Sequence, residues 1–218
     1  MLESRSEPPA ALALEYVQGV NLGSLIRRGL KKSLNPSPPF SAATAVARCL
    51  AHIHSVSTPR IGITSSCEET YPDKIIETLG GLTGGKVRPL ALLLRSARER
   101  LSLSSDRLVH GDANPTNFIV EPSGTAVAID LERLGRGDPH LDIGFLLADF
   151  IHMASHCGQP KAAAELAEAF RAAYKPPIDS ARERYFTALG LLRIARNPWH
   201  TPFHRDWLIA RAERLLSA

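Results

Sequence analysis

The 218-residue sequence holds three cysteines, Cys49, Cys67 and Cys157, an odd and scattered set with no Cys-x-x-Cys pair. That pattern argues for reduced thiols and a cytoplasmic compartment. Long apolar runs are missing too, and the charged, proline-bearing start MLESRSEPPA lacks the apolar stretch of a signal peptide, so no membrane role is expected. Acidic residues are absent between Tyr16 and Cys67, where Arg27, Arg28, Lys31, Lys32, Arg48 and Arg60 are spread. This basic stretch has no interleaved aromatics to stack bases, so it is read as a solvated face and no nucleic-acid partner is expected. A glycine-rich phosphate loop is also lacking. GGLTGGK ends at Lys86 followed by Val87, which breaks the G-x-x-x-x-G-K-[ST] pattern, so the segment is read as a mobile connection between helices.

What is present is enough chain for one good core, hiding about two thirds of its unfolded surface. Ala11 to Val17 reads as a strand broken by Gly19, and Asn21 is placed to cap a helix from Leu22 to Arg28. A serine- and proline-rich loop is expected from Ser33 to Ser41. Ala42 to Ser55 then has helical periodicity through Val46, Leu50 and Ile53, with His54 as a helix C-terminal residue rather than a ligand. Irregular chain is expected from Val56 to Tyr71, then helices over Pro72 to Leu79, Pro89 to Leu101, Ile143 to Ala154, Ala162 to Tyr174, Ala181 to Arg196 and Phe203 to Leu216. Near the C-terminus, Pro202 separates His200 from His204 and argues against a common ligand face, while Trp199 and Trp207 are expected to pack in the core.

The acid balance inverts between Asp106 and Asp149, with eight acids against three arginines. Here lie LVHGDANPTNFIV, from Leu108, and AVAIDLE, from Ala126. Gly111, Asn114 and Pro115 favour a loop that presents Asp112. Phe118 to Val120 and Ala126 to Ile129 read as strands about the turn Glu121-Pro122-Ser123-Gly124, a hairpin that brings Asn117 beside Asp130. Two hard oxygen donors facing one space suit magnesium, which binds few protein oxygens and keeps water and phosphate. Asp112, across the gap, is placed to accept the proton of a substrate hydroxyl in phosphoryl transfer.

With GDPHLDIG from Gly137, these runs resemble the aminoglycoside phosphotransferase and choline kinase-like family, small-molecule relatives of the protein kinases. The resemblance implies an α+β, mainly helical fold: a protein-kinase-like C-terminal lobe with a small catalytic β-hairpin. It implies Asp112 as catalytic base, and Asn117 and Asp130 as ligands of the Mg2+ of ATP. His110 would brace the catalytic loop, and Asp142 would hold that loop from the next helix, although Asp142 is also a candidate cap for a helix starting near Ile143. Ile119 and Ile129 would border the nucleotide, and Glu15, Tyr16 and Val17 would offer backbone groups to adenine. Glu132, Asp149, His152 and Trp199 are the candidates for contacts with a small hydroxyl-bearing acceptor, aminoglycoside-like or another cationic metabolite, a preference read from the acid-rich stretch.

Only ten residues precede Ala11, too few for the small lobe that covers the phosphates in that family. The expected organisation is a flexible 1–10, a remnant small-lobe strand and hinge over 11–19, and a large lobe over 20–218. A chain without that cover is expected to bind ATP weakly and to catalyse feebly by itself. An uncovered strand edge favours a homodimer or a complementing chain. The alternative reading is a truncated, non-catalytic binding or interaction module.

Overall fold

The computed structural model describes residues 15–31, 37–57, 71–103 and 106–218. Residues 15–18 form no regular element, so the end of the expected strand, 15–17, is not one; the first strand among the described residues is β1, Val20–Asn21. A strand persists only where a ladder partner exists, and the partner begins here: Val20 pairs with Val120 and Asn21 with Ile119. Ala11 to Leu14 lie outside the described residues. Asn21 Oδ1 accepts the Ser24 N–H at 2.8 Å and starts α1, Leu22–Lys31.

The second helix, α2, runs Ser37–Ser55 and so begins inside the segment expected to be loop through Ser41. Pro38 and Pro39 fall in its first turn, where a missing N–H costs nothing. Next come α3, Tyr71–Thr83, and α4, Arg88–Glu99. Gly80 and Gly81 are helical, contrary to their reading as part of a connection; the turn is made by Gly84 and Gly85, both at positive φ. The Gly85 N–H closes on the Gly80 carbonyl at 2.9 Å, the bond that commonly ends a helix at glycine.

Four strands follow: β2, Arg107–Val109; β3, Phe118–Val120; β4, Ala126–Ala128; and β5, Gly135–Gly137. The hairpin β3–β4 forms as its turn residues dictate, and β1 extends it into an antiparallel sheet ordered β1-β3-β4. β2 pairs with β5. The rest is helix: α5, His140–His156; α6, Ala162–Ala173; α7, Ser180–Ala195; and α8, Pro202–Leu216. This is the mainly helical α+β architecture the residues led us to expect.

Two apolar clusters fill the interior. One gathers α1, α2 and α6 around Leu50, Phe118, Phe150 and Phe170. The other gathers α3, α4, α7 and α8 around Leu79, Leu90, Leu189 and Leu208. α5 belongs to both, with Ile143, Leu146 and Phe150 in the first and Leu141, Phe145 and Ala148 in the second. α5 and α7 approach so closely that a Cβ on Gly144 would stand 2.4 Å from the Phe186 carbonyl carbon. No helix among the described residues is long and apolar enough to cross a membrane.

Candidate active site

The loop after β2 is held from beneath by one carboxylate. Asp142 is fully buried; its Oδ2 accepts the His110 N–H at 2.7 Å and its Oδ1 the Gly111 N–H at 2.9 Å. Gly111 lies at φ 78°, a conformation glycine adopts without steric cost. Asp142 therefore clamps the loop and is not the cap of α5, which starts two residues earlier; the Asp138 carboxylate takes the His140 N–H at 2.9 Å instead. Asp142 Oδ2 also receives His54 Nε2 at 2.9 Å, and the Tyr174 hydroxyl reaches His54 Nδ1 at 2.8 Å. An ionised Asp142 offers only lone pairs, so His54 donates to it through Nε2. Burial, reinforced by the charges of Asp142 and Asp138, pushes the Tyr174 hydroxyl far above its usual range and keeps it a donor. His54 thus ends α2 as expected, yet is also part of the loop's support.

His110 ties the loop to the hairpin. Its Nε2 donates to the Ile129 carbonyl at 3.0 Å, and its Nδ1 faces the Asp112 N–H at 3.4 Å. Asn114 then caps the 3-10 turn Pro115–Asn117 by accepting the Thr116 N–H. At the end of that turn Asn117 is buried, and its Nδ2 donates to the Asp112 carbonyl at 3.0 Å. The amide nitrogen is thereby engaged within the loop and Oδ1 is left as the side chain's donor oxygen. The Ile129 N–H bonds the Asn117 carbonyl at 2.9 Å, so Asp130 follows directly on the residue opposite Asn117. Asp130 is exposed and sits at φ 60°, ψ 56°, the one non-glycine residue at positive φ among those described. Holding a carboxylate-bearing residue there costs on the order of 1 kcal/mol or more. The Asn117 amide oxygen and the Asp130 carboxylate are hard oxygen donors, the chemistry that fits Mg2+.

Asp112 is met from the other side by a residue that the sequence did not single out. Arg193, on α7, donates from Nη1 to Asp112 Oδ1 at 3.0 Å and from Nη2 to Asp149 Oδ2 at 2.7 Å. Its guanidinium lies 4.6 Å above the Phe145 ring, and its buried Nε has no hydrogen-bond partner among the described residues. Burial raises the Asp149 carboxyl to about 6; Arg193 pulls against that shift, and the Asp112 charge adds to it. No spacing rule joins positions 112, 149 and 193.

An open cavity of about 850 Å3 borders this group, and Asp112, Asp149, His152 and Trp199 all line it. Four of the candidates are therefore brought to one space. Trp199 reaches it by standing 87% exposed, which corrects its expected place in the core. His200 and His204 also correct the expectation drawn from Pro202. That proline opens α8, Thr201 caps the helix by accepting the His204 N–H at 3.3 Å, and the two imidazoles come together with His152. Burial, then the neighbouring histidines, pushes His152 down to about 4. Glu132 stands exposed in the 3-10 turn Leu131–Arg133 and does not line the cavity. Ile119 and Ile129 are half-buried along the hairpin, while Glu15 and Tyr16 are exposed and Val17 half-buried in irregular chain.

The model of the phosphotransferase enzyme family matches residues 2–186. No curated protein matches the chain. Among solved structures, an aminoglycoside-3'-phosphotransferase of type VIII superposes with a TM-score of 0.55 at 16% identity over 79% of this chain. A choline/ethanolamine kinase family protein from Mesorhizobium loti gives 0.62 at 17% identity over 93%, and a glucosamine kinase 0.62 at 13% over 91%. This chain covers 64%, 69% and 59% of those chains, respectively. At such identities the superpositions carry the fold alone, a kinase-like one, and it is the family model, spanning most of the sequence, that assigns descent: the chain belongs to the phosphotransferase enzyme family.

Proposed function

We propose that this chain supplies the large lobe, residues 20–218, of an ATP-dependent phosphotransferase that acts on a hydroxyl of a small molecule. What supports the reading is that Asp112 and Asn117 share one hydrogen-bonded loop braced by Asp142 and His110, with Asp130 next after Ile129, whose N–H bonds the Asn117 carbonyl. Asp112 accepts the acceptor's hydroxyl proton as the oxygen attacks, which requires its Oδ1 to part from Arg193 or its second oxygen to do the work. Asn117 and Asp130 would hold Mg2+, which neutralises phosphate charge when bound. Full activity requires that the nucleotide's phosphates also be covered and gripped, by a small lobe or a complementing chain.

The acceptor is proposed to occupy the cavity beside Asp112, against Asp149, His152 and Trp199. Solved relatives include one in complex with ADP and streptomycin and one with glucosamine, ADP and inorganic phosphate. Hydroxylated amines of that kind are the acceptor class we propose. A cationic group in this cavity competes with Arg193 for Asp149 and Asp112, and Arg27, Arg133 and Arg196 line the same space. The cationic preference expected from the acid count is therefore narrowed to acceptors able to displace that guanidinium.

The Arg193 bridge also favours a second reading, a non-catalytic binding module in which Asp112 is permanently engaged. Phosphate transfer from ATP to a panel of aminosugars, amino alcohols and aminoglycosides, with Mg2+ and the complete enzyme, separates the two. Asp112→Asn is expected to lower the rate about a hundredfold to ten-thousandfold. Equal rates in wild type and variant would remove Asp112 as base, and no transfer to any acceptor would favour the binding module.

A further inference from the structure

α5, α8 and the link between α7 and α8 each contribute one imidazole to a cluster at the cavity wall. The ligating nitrogens of His152, His200 and His204 all lie within 4.8 Å of one another, and His152 Nδ1 is 3.0 Å from His204 Nε2. We propose that these three histidines form a site for a divalent transition ion of the zinc class, with a water as fourth ligand.

Zinc–imidazole bonds of about 2.0–2.1 Å at tetrahedral angles set nitrogens about 3.4 Å apart. One pair is already slightly closer than that, and the full set closes with ring movements on the order of 1 Å. Without an ion, two ring nitrogens 3.0 Å apart must be one donor and one acceptor. With the ion, both lone pairs turn to the metal. Neutral imidazole is the ligating form, and burial together with the neighbouring rings disfavours the charged form of all three histidines.

The surroundings hold the ligands in place. His204 stacks on Trp207, with ring centres 5.7 Å apart and planes at 15°. The buried Arg205 donates to the carbonyls of Ala195, Asn197 and His200 at 3.1, 3.4 and 3.2 Å, which fixes the link that carries His200. Supporting bonds of this kind orient ligands before a metal arrives. His156 stands outside the triad, its ring 6.0 Å from that of His152. An all-nitrogen set selects against magnesium, which asks for oxygen, so this site is chemically distinct from Asn117 and Asp130. Because His152 and His200 line the cavity, the ion would sit in its wall and pin α5 to α8.

The test uses the full chain stripped of metal and kept in excess Mg2+, titrated with Zn2+ by calorimetry and with Co2+ by visible absorption. Uptake of one equivalent, a tetrahedral Co2+ spectrum and a rise in melting temperature with Zn2+ are expected. His200→Ala and His204→Gln, each checked for native circular dichroism, should weaken binding by more than about tenfold. Absence of stoichiometric uptake, an octahedral spectrum, or undiminished binding by either folded variant overturns the proposal and leaves the cluster a hydrogen-bonded one.

Discussion

Replacing Asp142 by asparagine keeps the shape and one acceptor while removing the charge on which three donors converge. Oδ2 serves two of them, His110 N–H and His54 Nε2–H, and Oδ1 serves Gly111 N–H. The amide nitrogen is therefore accommodated least badly at the Oδ1 position, where it meets only the Gly111 N–H. That loses one charge-assisted bond, about 1.5–3 kcal/mol, and strands a buried donor against another, about 1–3 kcal/mol more. The two surviving bonds also weaken as their acceptor becomes neutral. A total of roughly 3–5 kcal/mol results, the range found when a buried pair loses one member. For a domain whose whole stability is about 5–15 kcal/mol, this is a large share. Urea unfolding followed by circular dichroism should show a midpoint shift of that size at unchanged slope. Combining the change with His54→Ala should be clearly less than additive, since both act on one network. A loss under about 1 kcal/mol, or full additivity, would mean that Asp142 does not carry the loop.

Gly144→Ala should destabilise by about 1–3 kcal/mol or more, because its Cβ would lie 2.4 Å from the Phe186 carbonyl carbon and 2.5 Å from Phe186 Cβ and Thr187 N; an unchanged melting temperature would contradict the close helix approach. The Asp149 carboxyl, raised from 3.8 to about 6, binds its proton more tightly in the folded than in the unfolded chain. Its contribution to stability is therefore greatest below about pH 4 and declines by about 3 kcal/mol as pH rises through about 6. Asp149→Asn should flatten that part of the stability profile, and identical wild-type and variant profiles between about pH 4 and 7 would reject the assignment.

What could be read from the sequence was local, and what could not was long-range. Asn21 announces α1 because a cap acts three residues away, and Pro122 to Gly124 announce the hairpin because a turn acts on its own neighbours. β5 was invisible: Gly135-Arg136-Gly137 has no strand-like composition and is extended because β2 pairs with it. Within the site, Asp112 and Asp142 stood in recognisable runs, whereas Arg193 is one arginine on a long helix, and His54 meets Asp142 across 88 positions. The proline between His200 and His204 suggests a break between them, yet at the first position of a helix it is a starter. A core place for Trp199 follows from a rule that runs one way only, since large apolar side chains are also found outside.

The membership of α5 in both apolar clusters bears on how the protein breathes. A helix packed against one core can detach while the remainder stays folded, and its amide protons then exchange with solvent through that partial opening. α5 has no such route, since releasing it opens both cores at once. Its amides should be among the slowest in the molecule to exchange, close to the rate set by global unfolding. Asp142, Asp149 and His152 all ride on this helix. The loop clamp and two cavity-lining side chains thus share the lifetime of the whole fold, and a weakened contact in either core reaches them directly.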